Sequence, residues 1–427
     1  MYFSSLHSFL SLFFIGLSIA QDSGIFVAVQ NPSTYWYEEV EHNGISPFIA
    51  NGTSWTVFRN VKDYGAKGDG VTDDAEAIQA AINFGGRGSS GNGSLGTTGA
   101  PAVIYFPEGN YLVSEPIQSY VDTFLIGNPV NRPTLSVGPS FSGSTLLYMK
   151  DPSFDSTINF YIGLKNMILD STAFSPNTTF TLVDWSVSQA TQLTNVLFNM
   201  PYSSQHTGVS TPEGGSGTYM GNLDFVGGSV GINMNNQQYN VKDCTFKGTT
   251  TGVYVSHVFA LVLQGMKFND CEVGVNATNG GVGNVGSVAL IDSIAQSVGT
   301  VIFTKSQVIG NSTTGDDSIV IDNLKTSNVG STVTAGGKKI LTGSVPNIWV
   351  YGNAYLRGDT RGNVNDNITG IHDAGTMYTS FRSPVLVPGG KYFTMAPPTY
   401  QEYDVKQVVN VKSVEGFPVY GDGQTVG

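Results

Sequence analysis

A short pattern recurs seven times between residues 164 and 326, and it restricts the fold more than any other feature of the chain. Its first position is Leu164, Leu193, Met220, Val241, Leu263, Leu290 and Ile321. Its third is Asn166, Asn195, Asn222, Asp243, Gly265, Asp292 and Asn323, and its fourth is Met167, Val196, Leu223, Cys244, Met266, Ser293 and Leu324. The third position is always Asn, Asp or Gly, the residues that tolerate left-handed dihedrals and hydrogen-bond locally at corners. Successive third positions lie 29, 27, 21, 22, 27 and 31 residues apart. That is the period of a solenoid whose unit is one coil of short strands.

A second register follows a few residues later, at Val230-Gly231-Ile232, Thr251-Gly252-Val253, Val273-Gly274-Val275 and Val298-Gly299-Thr300. Alternation there turns Ile232/Met234, Val253/Val255 and Val275/Ala277 inward and Asn233, Tyr254 and Asn276 outward. No coil buries its inner face alone, but coils stacked ~4.8 Å apart build one continuous core. The fold expected is all-β, a right-handed parallel β-helix; a β-sandwich needs hairpin punctuation that the repeat lacks. Composition agrees: charged residues are only 12%, and glycine, at 53 of 427 residues, is well above its usual share of ~7%.

Each end of a β-helix has an open edge that needs a cover. Asp73 and Glu76 have capping-box spacing ahead of a segment in which Ala75, Ile78 and Ile82 share one helical face, so a short helix is expected to plug the N-terminal end, with Asp73 as its N-cap. Cys244 falls on an inward position and Cys271 aligns with Thr249, further around the coil. That offset exceeds the ~7 Å Cα limit for a disulfide, so two unpaired thiols are expected.

Residues 1–20 read as a signal peptide, with an apolar run from Phe9 to Leu17 and the small-x-small exit Ser18-Ile19-Ala20. Sequons at Asn51, Asn92, Asn177, Asn276, Asn311 and Asn367 support a glycosylated protein that is secreted, extracellular or cell-wall associated. With a formal charge of −12, nucleic acid and anionic membrane surfaces are poor partners.

The segment Phe58 to Asp74, containing Tyr64-Gly65-Ala66-Lys67-Gly68-Asp69-Gly70-Val71-Thr72-Asp73-Asp74, resembles the opening motif of the pectate-lyase-like β-helix superfamily. Tyr35-Trp36-Tyr37-Glu38-Glu39, His42-Asn43-Gly44, the Gly-rich stretch Gly214 to Gly221 and Asn236-Gln237-Gln238 narrow the resemblance to the fungal exo-β-1,3-glucanases, glycoside hydrolases built from two tandem β-helices. The resemblance implies hydrolysis of β-1,3-glucan with inversion, in a pocket between the two helices whose general acid belongs to the second. It also implies Gln237, Gln238 and Tyr239 as substrate-binding residues, because amides donate and accept toward sugar hydroxyls.

After a Pro-containing stretch from Pro384 to Tyr403, Asn410-Val411-Lys412 and Gly421-Asp422-Gly423 echo Asn60-Val61-Lys62 and Gly68-Asp69-Gly70. The expected organisation is therefore a signal peptide (1–20), a β-helix (21–383), a linker (384–408) and the truncated start of a second β-helix (409–427). On this reading the chain supplies the N-terminal half of the pocket, is weakly active or inactive alone, and has a missing second β-helix as its partner. The flank facing that partner is expected to expose apolar side chains.

Catalytic residues are not assigned by the sequence. Capping accounts for Asp73-Asp74, and a solvated loop for Asp316-Asp317, which lack the Gly-His-Gly and Arg-Ile-Lys elements of a polygalacturonase. Asp243 and Asp292 suit corner hydrogen bonding better than calcium, and no Cys/His spacing suits zinc, so no metal and no cofactor is expected. Where the glucanases usually carry tryptophans one coil beyond the amides, this chain has Ser256-His257-Val258-Phe259; Asn276 shares the outward ladder of Tyr254, and a glycan on it would exclude substrate from that ladder's face. The alternatives are a non-catalytic module that binds glucan or packs on a partner, and a pectin-degrading enzyme.

Overall fold

A computed structural model describes residues 34–46, 49, 52–87, 99–215, 217–278, 285–305, 318–354, 371–379, 381–409, 411 and 414. The signal peptide, the second opening motif beyond residue 414, the loop bearing Asp316 and Asp317, and the sequons at Asn51, Asn92, Asn311 and Asn367 lie outside the described residues.

The strands form a parallel β-helix with three stacked sheets. In the first sheet the inward row runs Leu164, Leu193, Met220, Val241, Leu263, Leu290, Ile321, each hydrogen-bonded in register to the next coil. The third sheet carries the row Val183, Val209, Ile232, Val253, Val275, Ile302, Val333. All of these residues are fully buried. All seven third-position residues adopt left-handed φ: 62° at Asn166, 54° at Asn195, 55° at Asn222, 51° at Asp243, 73° at Gly265, 49° at Asp292 and 59° at Asn323. The repeat thus records a corner at which the chain turns from the first sheet to the second, which other residue types make only at a cost of about 1–2 kcal/mol. Asn195 Nδ2 donates to Asn166 Oδ1 at 2.9 Å, linking adjacent corners.

Two further ladders interlock inside the coils. Phe198, Phe225, Phe246 and Phe268 stack with ring centroids 4.6, 4.9 and 5.2 Å apart. Across the core sit Gly208, Gly231, Gly252 and Gly274. A Cβ on Gly252 would lie 2.7 Å from the Phe268 ring and 2.7 Å from the Gly274 carbonyl oxygen. The glycines are the space that the rings occupy. The second register departs from expectation on its last coil: Val273 pairs with Thr300 and Val275 with Ile302, so Val301 and not Gly299 follows Gly274. The reason is steric, since Ala295 follows Phe268 on that coil and leaves room for a side chain opposite.

The plug is the helix Ala75–Asn83, with Ala75, Ile78, Ala81 and Ile82 buried. Its N-cap is Asp74, not Asp73. Buried Asp74 accepts Lys67 N at 2.6 Å and Gly68 N at 2.9 Å, pinning the preceding loop. Asp73 instead accepts Ala75 N at 3.1 Å and the Ser114 hydroxyl. Buried Arg59 closes the other end of this helix, donating to the carbonyls of Ala81 at 2.9 Å and Ile82 at 3.2 Å beneath the rings of Trp55 and Phe84. Burial pulls its pKa down to about 10. Cys244 and Cys271 are both buried and unpaired, and burial pushes their thiols up to about 12 and about 11.

Beyond the last stacked coil (Ser318–Ala335), the span expected to continue the β-helix changes direction: strands Lys338–Leu341, Val345–Ala354 and Ile371–Tyr378 pair antiparallel. They cover the C-terminal edge. Residues 381–409 then travel back along the corner ladder as a strap. Arg382 pairs with Asp292 at 2.7 Å and Asp322 at 2.6 Å, and its guanidinium lies 4.4 Å from the Tyr392 ring centroid. Tyr392 N donates to Asp292 at 2.7 Å and Thr394 Oγ1 to Asp243 at 3.4 Å. At the N-terminal end, Tyr35 Oη donates to the Thr399 carbonyl at 3.0 Å and Trp36 Nε1 to that of Tyr400 at 2.8 Å. The corner carboxylates thus hold the strap.

Candidate functional site

The amide pair sits at the corner where the third sheet hands over to the first. Strand Val230–Asn235 ends with a register shift between Met234 and Asn235, so Asn235 pairs with His257 on the next coil. This irregularity turns the chain outward. Asn236 is buried and fixes the turn: its Nδ2 donates to the Glu213 carbonyl at 3.2 Å and to Tyr239 Oη at 3.1 Å, and its Oδ1 accepts Gln237 N at 2.7 Å.

The three residues implied as sugar-binding then separate. Gln238 is exposed and Gln237 half-buried, whereas the Tyr239 side chain belongs to the core with Val241 and is only 4% exposed. Strand alternation explains this, since Tyr239 is in phase with the inward Val241 and Leu261. Burial also raises the Tyr239 hydroxyl above its ordinary pKa. Tyr239 supports the turn from inside and presents no face to a ligand.

Phe259 lies one coil further on, its backbone N donating to the Gln237 carbonyl at 2.7 Å. Its ring is 55% exposed and meets His257 edge-on at 5.3 Å. An aromatic face beside two outward amides can stack on the apolar face of a sugar ring while the amides take its hydroxyls. Sequence reasoning counted Phe259 only as a departure from tryptophan; its place next to Gln237 in the coil was the available signal. Asn276 lies on the adjoining face, paired with Tyr254, its Oδ1 accepting Thr278 Oγ1 at 2.7 Å. Asn177 is exposed in a turn.

Two carboxylates near this corner have environments that push their protonation apart. Burial raises the Asp184 pKa, with Ser186 Oγ donating to it at 2.5 Å. Glu213 is held below the ordinary range by Lys150 at 2.5 Å and Ser156 at 2.8 Å. Asp73, Asp74, Asp243 and Asp292 are occupied with the loop, helix and strap contacts described above. Among the described residues no group of three or more His, Cys, Asp or Glu is arranged to hold a metal ion.

Residues 58–276 match the family model described as rhamnogalacturonase A/epimerase, pectate lyase-like. The chain is 33% identical to a glucan 1,3-beta-glucosidase of Cochliobolus carbonum, over 95% of this chain and 52% of that protein. It is 34% identical to a probable glucan endo-1,3-beta-glucosidase of Arthroderma benhamiae, over 76% of this chain and 38% of that protein. It is also 33% identical to the non-secreted LysM effector LysM19 of Penicillium expansum, over 95% of this chain and 32% of that protein. The chain therefore spans about half the length, or less, of these curated relatives.

Proposed function

Because this chain belongs to the rhamnogalacturonase A/epimerase, pectate-lyase-like family, we propose that it is the glucan-binding β-helix of a β-1,3-glucan hydrolase. The observation that carries this reading is the outward Gln237–Gln238 pair beside the exposed Phe259 ring, together with similarity over most of the chain to one protein named a glucan 1,3-beta-glucosidase and another named a probable glucan endo-1,3-beta-glucosidase. Gln237 and Gln238 orient hydroxyls and Phe259 carries the ring face. Inverting hydrolysis needs an acid on the leaving oxygen and a base on water, with carboxyls about 6.5–9.5 Å apart. In this proposal the acid comes from a second β-helix lying alongside the first.

The strap supports such a neighbour. It leads the chain from the C-terminal end of the solenoid back to Tyr35 and Trp36. On the way it exposes Phe381, Val385, Leu386, Phe393, Met395 and Val409, each more than half exposed. Apolar patches of this kind mark interaction sites. Secretion through residues 1–20, glycosylation at the sequons, and division into a helix, a linker and the start of a second helix form part of the same proposal.

Incubating the chain with linear β-1,3-glucan tests it: binding without appreciable glucose release is expected, and Gln238→Ala with Phe259→Ala should weaken binding at least tenfold. A second reading has the chain hydrolyse glucan by itself. Robust turnover by the chain alone would establish that reading and end the half-site one.

A further inference from the structure

A cleft of about 230 Å³ opens elsewhere, at the N-terminal end of the first sheet. Lys165 and Gln192 form its floor, Trp36 and Tyr37 one wall, and Pro398 and Tyr400 of the strap the other. The hydrogen bonds from Tyr35 to Thr399 and from Trp36 to Tyr400 tie the walls together. The sheet itself does not ask for a lysine here: Thr194 occupies the same register position on the next coil, and Gly221 follows. The Lys165 ammonium has neither hydrogen bond nor ion pair among the described residues, and burial lowers its pKa from the ordinary value.

Aromatic walls over a floor of one amine and one amide suit a polyhydroxylated ring, with its C–H face on the aromatics and its hydroxyls on the nitrogen donors. At about 230 Å³ the cleft is smaller than the roughly 300–1,000 Å³ that encloses a drug-sized ligand, so it has room for a single ring. A polyanion is disfavoured by the chain's formal charge of −12. The outer row that includes Gln192 continues through Tyr219 toward Asn240, on the strand that begins at Gln238.

We propose that this cleft is a second saccharide subsite, holding one neutral glucosyl unit of a β-1,3-glucan whose remainder runs along the sheet toward Gln238. The inference rests on the glucan reading above and adds a site remote from the amide corner. Isothermal titration of the full chain with a linear β-1,3-linked glucohexaose tests it. The double variant Lys165→Met/Gln192→Ala and the single variant Tyr400→Ala should each lower affinity at least tenfold while leaving the melting temperature unchanged. Wild-type affinity in both cleft variants, with binding still weakened by Gln238→Ala, would overturn the subsite and leave the glucan reading standing. Absence of binding by the unaltered chain would overturn both. Tighter binding of an oligogalacturonate than of the glucohexaose, lost in Lys165→Met, would replace the neutral ligand with an acidic one and overturn the assignment.

Discussion

His206 shows how a single residue couples this solenoid to pH. Its ring is buried against Phe174 and Phe180, with Nδ1 at 2.9 Å from Ser171 Oγ and Nε2 at 3.0 Å from the Ser175 carbonyl. Burial lowers its pKa from the ordinary value of 6.5. The unfolded chain therefore takes up a proton before the folded one does, so the stabilisation is complete above about pH 6.5 and declines as pH falls toward the folded-state value. Thermal melts at pH 7.5 and 5.0 should show a smaller acid-induced drop for His206→Gln than for the native chain. At this scale the corner residues were readable, because Asn, Asp and Gly are selected by one dihedral. The alternation that puts Val241 inside puts Tyr239 inside too, so its strand phase, more than its place beside the amides, decides where its side chain lies. The exchange of roles between Asp73 and Asp74 was not readable, since both can cap and only the loop at Lys67 and Gly68 chooses between them.

Among the elements, the phenylalanine and glycine ladders behave as one unit. Gly252→Ala forces a methyl against the Phe268 ring, and overpacking of this kind costs about 1–3 kcal/mol. Phe268→Ala in the same chain should recover part of that loss, as measured by chemical denaturation and a double-mutant cycle. The strap is the element that the sequence disclosed least. Residues 384–408 read as a linker because of their Pro-containing stretch, yet their partners are corner carboxylates and N-terminal rings distant in sequence, which no local pattern encodes. Arg382→Ala leaves Asp292, 3% exposed, and Asp322 without their shared cation. A loss of about 3 kcal/mol is expected. Limited proteolysis between residues 381 and 409 should speed up before the coils themselves yield.

For the whole molecule, stacked coils were legible in the repeat and both end covers only in part. The helical plug was signalled by its capping residues and apolar face, whereas the antiparallel strands after Ala335 break the very periodicity that revealed the rest. Exposed apolar side chains lie on the strap, whereas from the sequence they are expected on a flank of the coil stack. Replacing Phe381, Val385 and Leu386 together by serine should raise solubility and cut dye binding to apolar surface, with little change in melting temperature, because these side chains are 60% exposed or more. An unchanged solubility would remove the reason for placing a second β-helix on that side. The bonds from Tyr35 and Trp36 to the strap carry a mechanical corollary. Tension applied between residues 34 and 409 meets the strap first, so in an optical trap those contacts should peel at low force, while the coils stay shielded from load until the tether is fully paid out.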